Sequence, residues 1–89
     1  MPRATTEITN RLGLHARPSA KLTQLATQFR AEVWLERDGR RVNAKSIMGV
    51  MMLAASHGTK LVIETDGEDA EVALQAILDL IASRFGESE

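Results

Sequence analysis

The sequence predicts an α+β fold, an antiparallel sheet covered on one face by helices. Three observations carry this. Short segments rich in Thr, Ile and Val, or alternating at period two, are interleaved with segments whose apolar residues recur at three and four. Their order is β-α-β-β-α-β-α, which suits helices layered on an antiparallel sheet. Asp38-Gly39 stands between two of the strands as the short-range signal of a tight hairpin, whose central positions both need positive φ.

Residues from about Ala4 to Thr9 form the first, weakly marked strand. Asn10 to Leu14, with Gly13, is a loop. From about Ala16 to Phe29 the inner stripe Leu22, Leu25, Ala26 and Phe29 makes an amphipathic helix, with Lys21, Gln24 and Gln28 on its wet side. Ala31 to Arg37 alternates, Val33 and Leu35 facing inward and Glu32, Trp34 and Glu36 outward. Arg41 to Ala44 is the return strand. Ser46 caps a short helix running to about Ser56. Lys60 to Thr65 is a strand, and Asp66-Gly67 turns the chain. Asp69 to Phe85 is a long helix with Ala70, Leu74, Ile77, Ile81 and Phe85 inside, ended by Gly86 in left-handed geometry. Trp34 falls on the open face of the sheet, where a half-exposed tryptophan needs no function.

Eighty-nine residues make one domain, 1–89, with room for one modest core. Hydrophobic residues are 44% of the chain and charged residues 26%, as in ordinary soluble proteins. No cysteine is present, which removes disulfides and thiolate metal sites and fits a cytoplasmic setting. The N-terminus carries no secretory h-region, and the longest apolar run, Val50 to Ala55, is too short to cross a bilayer. No cofactor and no metal site are expected.

A net charge of −1 argues against general nucleic-acid binding. The charge is unevenly placed: residues 1–45 balance at +5 and residues 46–89 at −6. Arg11, Arg17, Lys21 and Lys45 cluster in sequence or motif around His15, and a local basic patch on a neutral chain suits an acidic protein partner or a phosphate. The plainer reading is a solvated face.

Gly13-Leu14-His15-Ala16-Arg17-Pro18-Ser19-Ala20 is the most informative segment. His15 sits where a loop becomes a helix. The first amides of a helix lack internal partners and the macrodipole adds positive potential, so an anion is favoured there. That field favours the neutral ring, whose free lone pair can attack phosphorus, and then stabilises the phosphorylated product among the amides of Ala16 and Arg17. Arg17 adds a planar fork for phosphate oxygens. Pro18 disfavours helical geometry at Arg17, so the helix is expected to begin properly only at Pro18. A histidine in a turn without function is the plain alternative, and for an isolated histidine it would prevail. His57 is placed near the C-terminal end of the second helix, where the dipole favours imidazolium, and is given no catalytic role.

Gly13-Leu14-His15-Ala16-Arg17-Pro18 resembles the active-site motif of the histidine-containing phosphocarrier (HPr) family of the bacterial phosphoenolpyruvate-dependent phosphotransferase system. Asn43-Ala44-Lys45-Ser46-Ile47-Met48-Gly49-Val50-Met51-Met52-Leu53 resembles the family's second signature, in register with the first. The resemblance covers nearly the whole chain. It implies an open-faced sandwich of a four-stranded antiparallel sheet and three helices on one side. It implies a phosphoryl carrier rather than an enzyme, accepting the group from enzyme I at Nδ1 of His15 and passing it to a histidine of an enzyme IIA domain, with Arg17 positioning it.

By the same resemblance Ala20, Lys21 and Gln24 join Arg17 and an apolar patch from Ile47, Met48 and Met51 in a shared docking face. Flexible methionines suit a surface that meets several partners in turn. Ile47, Met48, Met51 and Met52 are too many for the inner side of one short helix, but at least one of Met48 and Met52 is expected in the core. Gly49 is expected to permit a close approach. Ser46 corresponds to a serine that a dedicated kinase phosphorylates in some branches, though an N-cap explains it fully. Family members serve either sugar uptake or a nitrogen and carbon regulatory relay; the run Ser46 to Ala55 resembles proteobacterial members, which include both roles, and the reading leans slightly toward the regulatory one. A monomer is expected. Two rivals are a non-catalytic binding module controlled at Ser46, against which His15 counts, and a ferredoxin-like small-molecule or RNA-binding domain. Few strand aromatics and balanced charge speak against RNA.

Overall fold

A computed structural model describes residues 1–86. The strands are β1 (Arg3–Glu7), β2 (Glu32–Arg37), β3 (Arg40–Asn43) and β4 (Lys60–Asp66). The helices are α1 (Ala16–Ala26), α2 (Ile47–Met52) and α3 (Ala70–Ala82), followed by a 3-10 turn at Arg84–Gly86. The strands form one antiparallel sheet in the order β1-β4-β2-β3, and the helices cover one face of it. The expected α+β sandwich is therefore the observed one; residues 87–89 of the expected domain lie outside the described residues.

Alternation sets the two faces. Val33 pairs with Thr65 and Leu35 with Ile63, and all four are fully buried beneath the helices. Trp34 pairs with Glu64 on the opposite, open face. There Arg41 donates to Glu64 Oε1 at 2.6 Å and lies over the Trp34 ring at 4.7 Å, so the indole is covered by the chain's own guanidinium. At the hairpin, Asp38 and Gly39 take φ of 49° and 81°, the mirror-image turn that the twist of the strands requires.

Element ends differ from expectation where tertiary contacts win. Ile8 leaves the β1 ladder and is fully buried, its amide held by Thr59 O at 2.9 Å. β3 starts and stops one residue early, at Arg40 and Asn43. α2 ends at Met52, because Ala54 turns left-handed at φ 51°. α3 ends at Ala82, and the left-handed stretch begins already at Arg84 and Phe85, ahead of Gly86, which is itself left-handed at φ 78° as expected. Such φ values cost about 1–2 kcal/mol each in non-glycine residues. They fold Phe85 back so that it is 1% exposed, and its carbonyl takes a 2.6 Å bond from Lys21 Nζ. Burying a phenylalanine contributes about 1.5–3 kcal/mol and a charge-assisted bond about as much, which offsets the strain.

Two contacts fix the turn into α3. Gly67 has φ 139°, and a Cβ there would sit 2.9 Å from Ala31 Cα. The Asp69 carboxylate reaches back to accept from the amides of Arg30 (3.0 Å) and Ala31 (2.8 Å). The Arg30 amide is the largest cause holding the Asp69 carboxyl below its ordinary pKa; Ala31, its own amide and Lys45 add to it, against partial desolvation.

Candidate functional site

The loop before α1 is set by short-range bonds. Gly13 has φ 68° and packs so closely on the Ala55–Ser56 peptide that a Cβ would lie 2.4 Å from Ala55 O. Only glycine fits both constraints. Asn10, fully buried, donates from Nδ2 to Gly13 O at 2.8 Å. The Leu14 amide donates to Ala55 O at 2.8 Å, and Ser19 Oγ donates to Leu14 O at 3.1 Å. Leu14 itself is buried at 5% exposure, so the residue before His15 is anchored in the core. Asn10, Ser19 and Ala55 were not singled out in the sequence; an Asn three residues ahead of a loop glycine was the available signal for the first.

His15 is the N-cap of α1, with extended backbone (φ −80°, ψ −170°). Its carbonyl accepts the first helical bond, from Ser19 N at 3.0 Å. Its half-exposed imidazole does not cap the helix, which leaves the helix-opening amides of Ala16 and Arg17 uncovered by that ring. The helix thus starts at Ala16, where the periodicity put it, and not at Pro18 as the restriction on the residue before proline suggested. Pro18 occupies the third helical position, still within the turn whose amides have no internal acceptor, so its missing N–H costs nothing there. Its buried ring packs beneath the turn. Arg17 is exposed and, among the described residues, makes no ion pair.

Arg17, Ala20, Lys21 and Gln24 are spaced at three and four and therefore share one face of α1. Arg17 and Gln24 are exposed and Ala20 is half-buried. The Lys21 ammonium is already engaged with Phe85 O, which makes it a fastener for the C-terminal turn as well as part of this face. Lys45 does not belong to the basic patch. Its Nζ donates to Phe29 O at 2.9 Å, beyond the far end of α1 from His15. Arg11, exposed, lies in the loop leading to His15.

α2 packs beside α1 and turns four apolar side chains outward. Met48 is 68% exposed, Met52 62%, Met51 41% and Ile47 39%. The expectation that Met48 or Met52 would be core fails. α2 spans only six residues, and Val50 with the following Leu53 supplies its entire inner side. Gly49 likewise meets no obligatory close approach, since a Cβ there would stand 3.4 Å from Val42 Cβ, an ordinary contact. Ser46 is the N-cap of α2 as expected, its exposed Oγ accepting from Gly49 N at 3.2 Å. His57 is not at a helix end. It lies exposed in the turn between Ser56 and Thr59, five residues past α2, so the dipole argument does not apply to it.

Among the described residues no group of His, Asp or Glu is arranged to hold a metal ion. Among the same residues no helix is long and apolar enough to cross a membrane. What the site offers is a half-exposed imidazole, a guanidinium two residues on, and an opening helix between them.

The family model described as the PTS HPr component phosphorylation site matches residues 2–83. The chain belongs to the HPr family of phosphocarriers. It is 62% identical over 84 residues to the phosphocarrier protein HPr of Cupriavidus necator, covering 94% of each chain. Its backbone is similar to the crystal structure of HPr-C-His from Thermoanaerobacter tengcongensis, with TM-score 0.97 at 47% identity over all of both chains. It is also similar to a crystal structure of an HPr dimer from the same organism, with TM-score 0.79 at 48% identity over 98% of this chain and 100% of that one. A phosphocarrier of the phosphotransferase system is a carried-group protein rather than a catalyst, and its partners belong to that system. The expectation of a monomer has no support from relatives that form dimers.

Proposed function

We propose that His15 accepts a phosphoryl group from phospho-enzyme I and releases it to a histidine of an enzyme IIA domain. The observation that carries this is the N-cap position of His15, whose ring stands half-exposed without capping the amides of Ala16 and Arg17. Transfer runs in two displacements. An imidazole lone pair, at Nδ1 by resemblance, attacks phosphorus; a new N–P bond forms as the bond to the donor nitrogen breaks. The three phosphoryl oxygens are met by the Ala16 and Arg17 amides and by the Arg17 guanidinium, which neutralise charge as it develops. The acceptor histidine then repeats the displacement in the reverse sense. Because those donors are exposed, they position the group without sequestering it, as a carrier requires.

The docking face is the exposed stripe Arg17, Ala20, Lys21 and Gln24 together with Ile47, Met48 and Met51. A cationic rim beside methionines suits an acidic, apolar partner surface and its exchange for another. Ser46, exposed at the start of α2, is a site for a serine kinase; a phosphate there would oppose the same acidic partner. The protein works in the cytoplasm, in sugar uptake or in a nitrogen and carbon relay. A non-catalytic module controlled at Ser46 is the alternative, and the presence of His15 with Arg17 disfavours it.

Incubation with enzyme I and phosphoenolpyruvate, followed by intact-mass spectrometry, tests the proposal. One phosphoryl group is expected at neutral pH and none after mild acid. An unlabelled chain, or an acid-stable label, contradicts it.

A further inference from the structure

The C-terminal end of α2 is held from outside by the β2–β3 hairpin. Arg37 Nη1 donates to Leu53 O and to Ala54 O, each at 2.8 Å. Arg40 Nη1 donates to Met52 O at 3.1 Å. Three successive carbonyls that a helix end would leave unpaired are therefore taken by two guanidiniums. Among these three residues is Ala54, a non-glycine residue at φ 51°. The fourth carbonyl in the series, Ala55 O, is the one that receives the Leu14 amide at 2.8 Å and against which Gly13 packs.

From this continuity we infer that Arg37 and Arg40 are positioning residues for His15. They hold the strained turn at Ala54, and that turn aims Ala55 O at the loop carrying the histidine. Neither arginine touches the phosphoryl site. Arg37 is placed to hold the turn: its side chain is only one-third exposed, and its Nε lies 3.5 Å from Asp38 Oδ2 while Nη1 makes the two carbonyl bonds. Strained backbone persists where its surroundings over-determine it, and here the surroundings are two arginines on an adjacent hairpin. The functional half of this inference rests on the role proposed for His15; the structural half does not.

Amide hydrogen exchange followed by NMR, together with transfer kinetics, tests it. In Arg37→Ala the Leu14 amide is expected to exchange at least tenfold faster, beyond any change at Ile63, which reports global opening. Arg40→Ala, which removes one of the three bonds, should give a smaller rise in the same amide. Arg37→Lys, which keeps a cationic donor, should lie between wild type and Arg37→Ala. Phosphoryl acceptance from phospho-enzyme I is expected to fall fivefold or more at saturating donor, with half-saturation little changed, because Arg37 lies outside the docking face. Equal acceleration at Leu14 and Ile63 would show that Arg37 contributes only general stability and would overturn the inference. So would an unchanged Leu14 amide. If the wild-type chain accepts no phosphoryl group at all, the role of His15 falls, while the exchange of Leu14 still decides the clamp.

Discussion

The amide of Leu14 and the carbonyl of Ala55 are joined at 2.8 Å, and through this bond the loop that presents His15 is fixed to the turn that ends α2. Gly13 lies flat against the same peptide. The loop of His15 and the end of the methionine-bearing helix are thus joined directly, so that, on the function proposed above, a partner docked on α2 would meet the imidazole in a set position.

Gly13→Ala tests that connection. The new Cβ would meet Ala55 O at 2.4 Å from a left-handed backbone. The φ penalty alone is about 1–2 kcal/mol and the contact with backbone adds to it. A loss of about 2 kcal/mol or more in urea unfolding is expected, with slower phosphoryl acceptance. An unchanged midpoint would show that the loop can yield without cost.

His15→Ala should leave the fold intact while removing labelling. His15 stands partly exposed at the cap rather than in the core, and a stability change below about 1 kcal/mol is expected by thermal melting. Retained acid-labile labelling in this variant would transfer the role to another residue.

The Ser46 hydroxyl has two separable effects. Ser46→Ala removes the bond to Gly49 N and should cost about 1 kcal/mol. Ser46→Asp keeps an acceptor at the cap and should hold stability near wild type while weakening enzyme I binding in titration calorimetry. Unchanged affinity would remove Ser46 from the docking face.

Met48→Gln separates docking from folding. Met48 is 68% exposed, so stability should move by no more than about 0.5 kcal/mol. Affinity for enzyme I is expected to fall by roughly fivefold, the scale of an interface side chain worth about 1 kcal/mol. A destabilised fold with unaltered affinity would contradict the placement of this residue.

Asp69 gives the chain a pH signature. Its carboxyl is held below the ordinary value of 3.8, first by the Arg30 amide. A depressed folded-state pKa contributes stability that is present in full above the unfolded value and is lost as pH falls through the folded one. The deficit of Asp69→Asn against wild type should therefore be constant near neutrality and shrink only below about pH 3.8. A deficit that grows with acidification would reverse the assigned sign.

Much of this was legible in the sequence. Period-two alternation at Val33 and Leu35 and the Asp38-Gly39 pair located the central hairpin. The two motifs pointed to His15, Arg17 and Ser46, and the expected N-cap role of Ser46 is the observed one. What escaped were long-range effects. Phe85 is inside, as the stripe of the last helix predicts, but nothing local shows that it gets there by a left-handed turn at Arg84 and Phe85, or that Lys21, 64 positions away, takes its carbonyl. Nor does periodicity show that α2 stops at Met52, since that depends on Arg37 and Arg40 reaching its last carbonyls. The same gap misplaced His57 at a helix end. Lys45 was grouped with His15 by motif, whereas the fold carries it to Phe29.

Site mapping of the phosphorylated chain tests the central claim most directly. After brief reaction with enzyme I and phosphoenolpyruvate, fragmentation at neutral pH should locate the phosphoryl group on the imidazole of His15 and nowhere else. A group found on His57 or on Ser46 would contradict the account, because neither stands at the opening of the first helix.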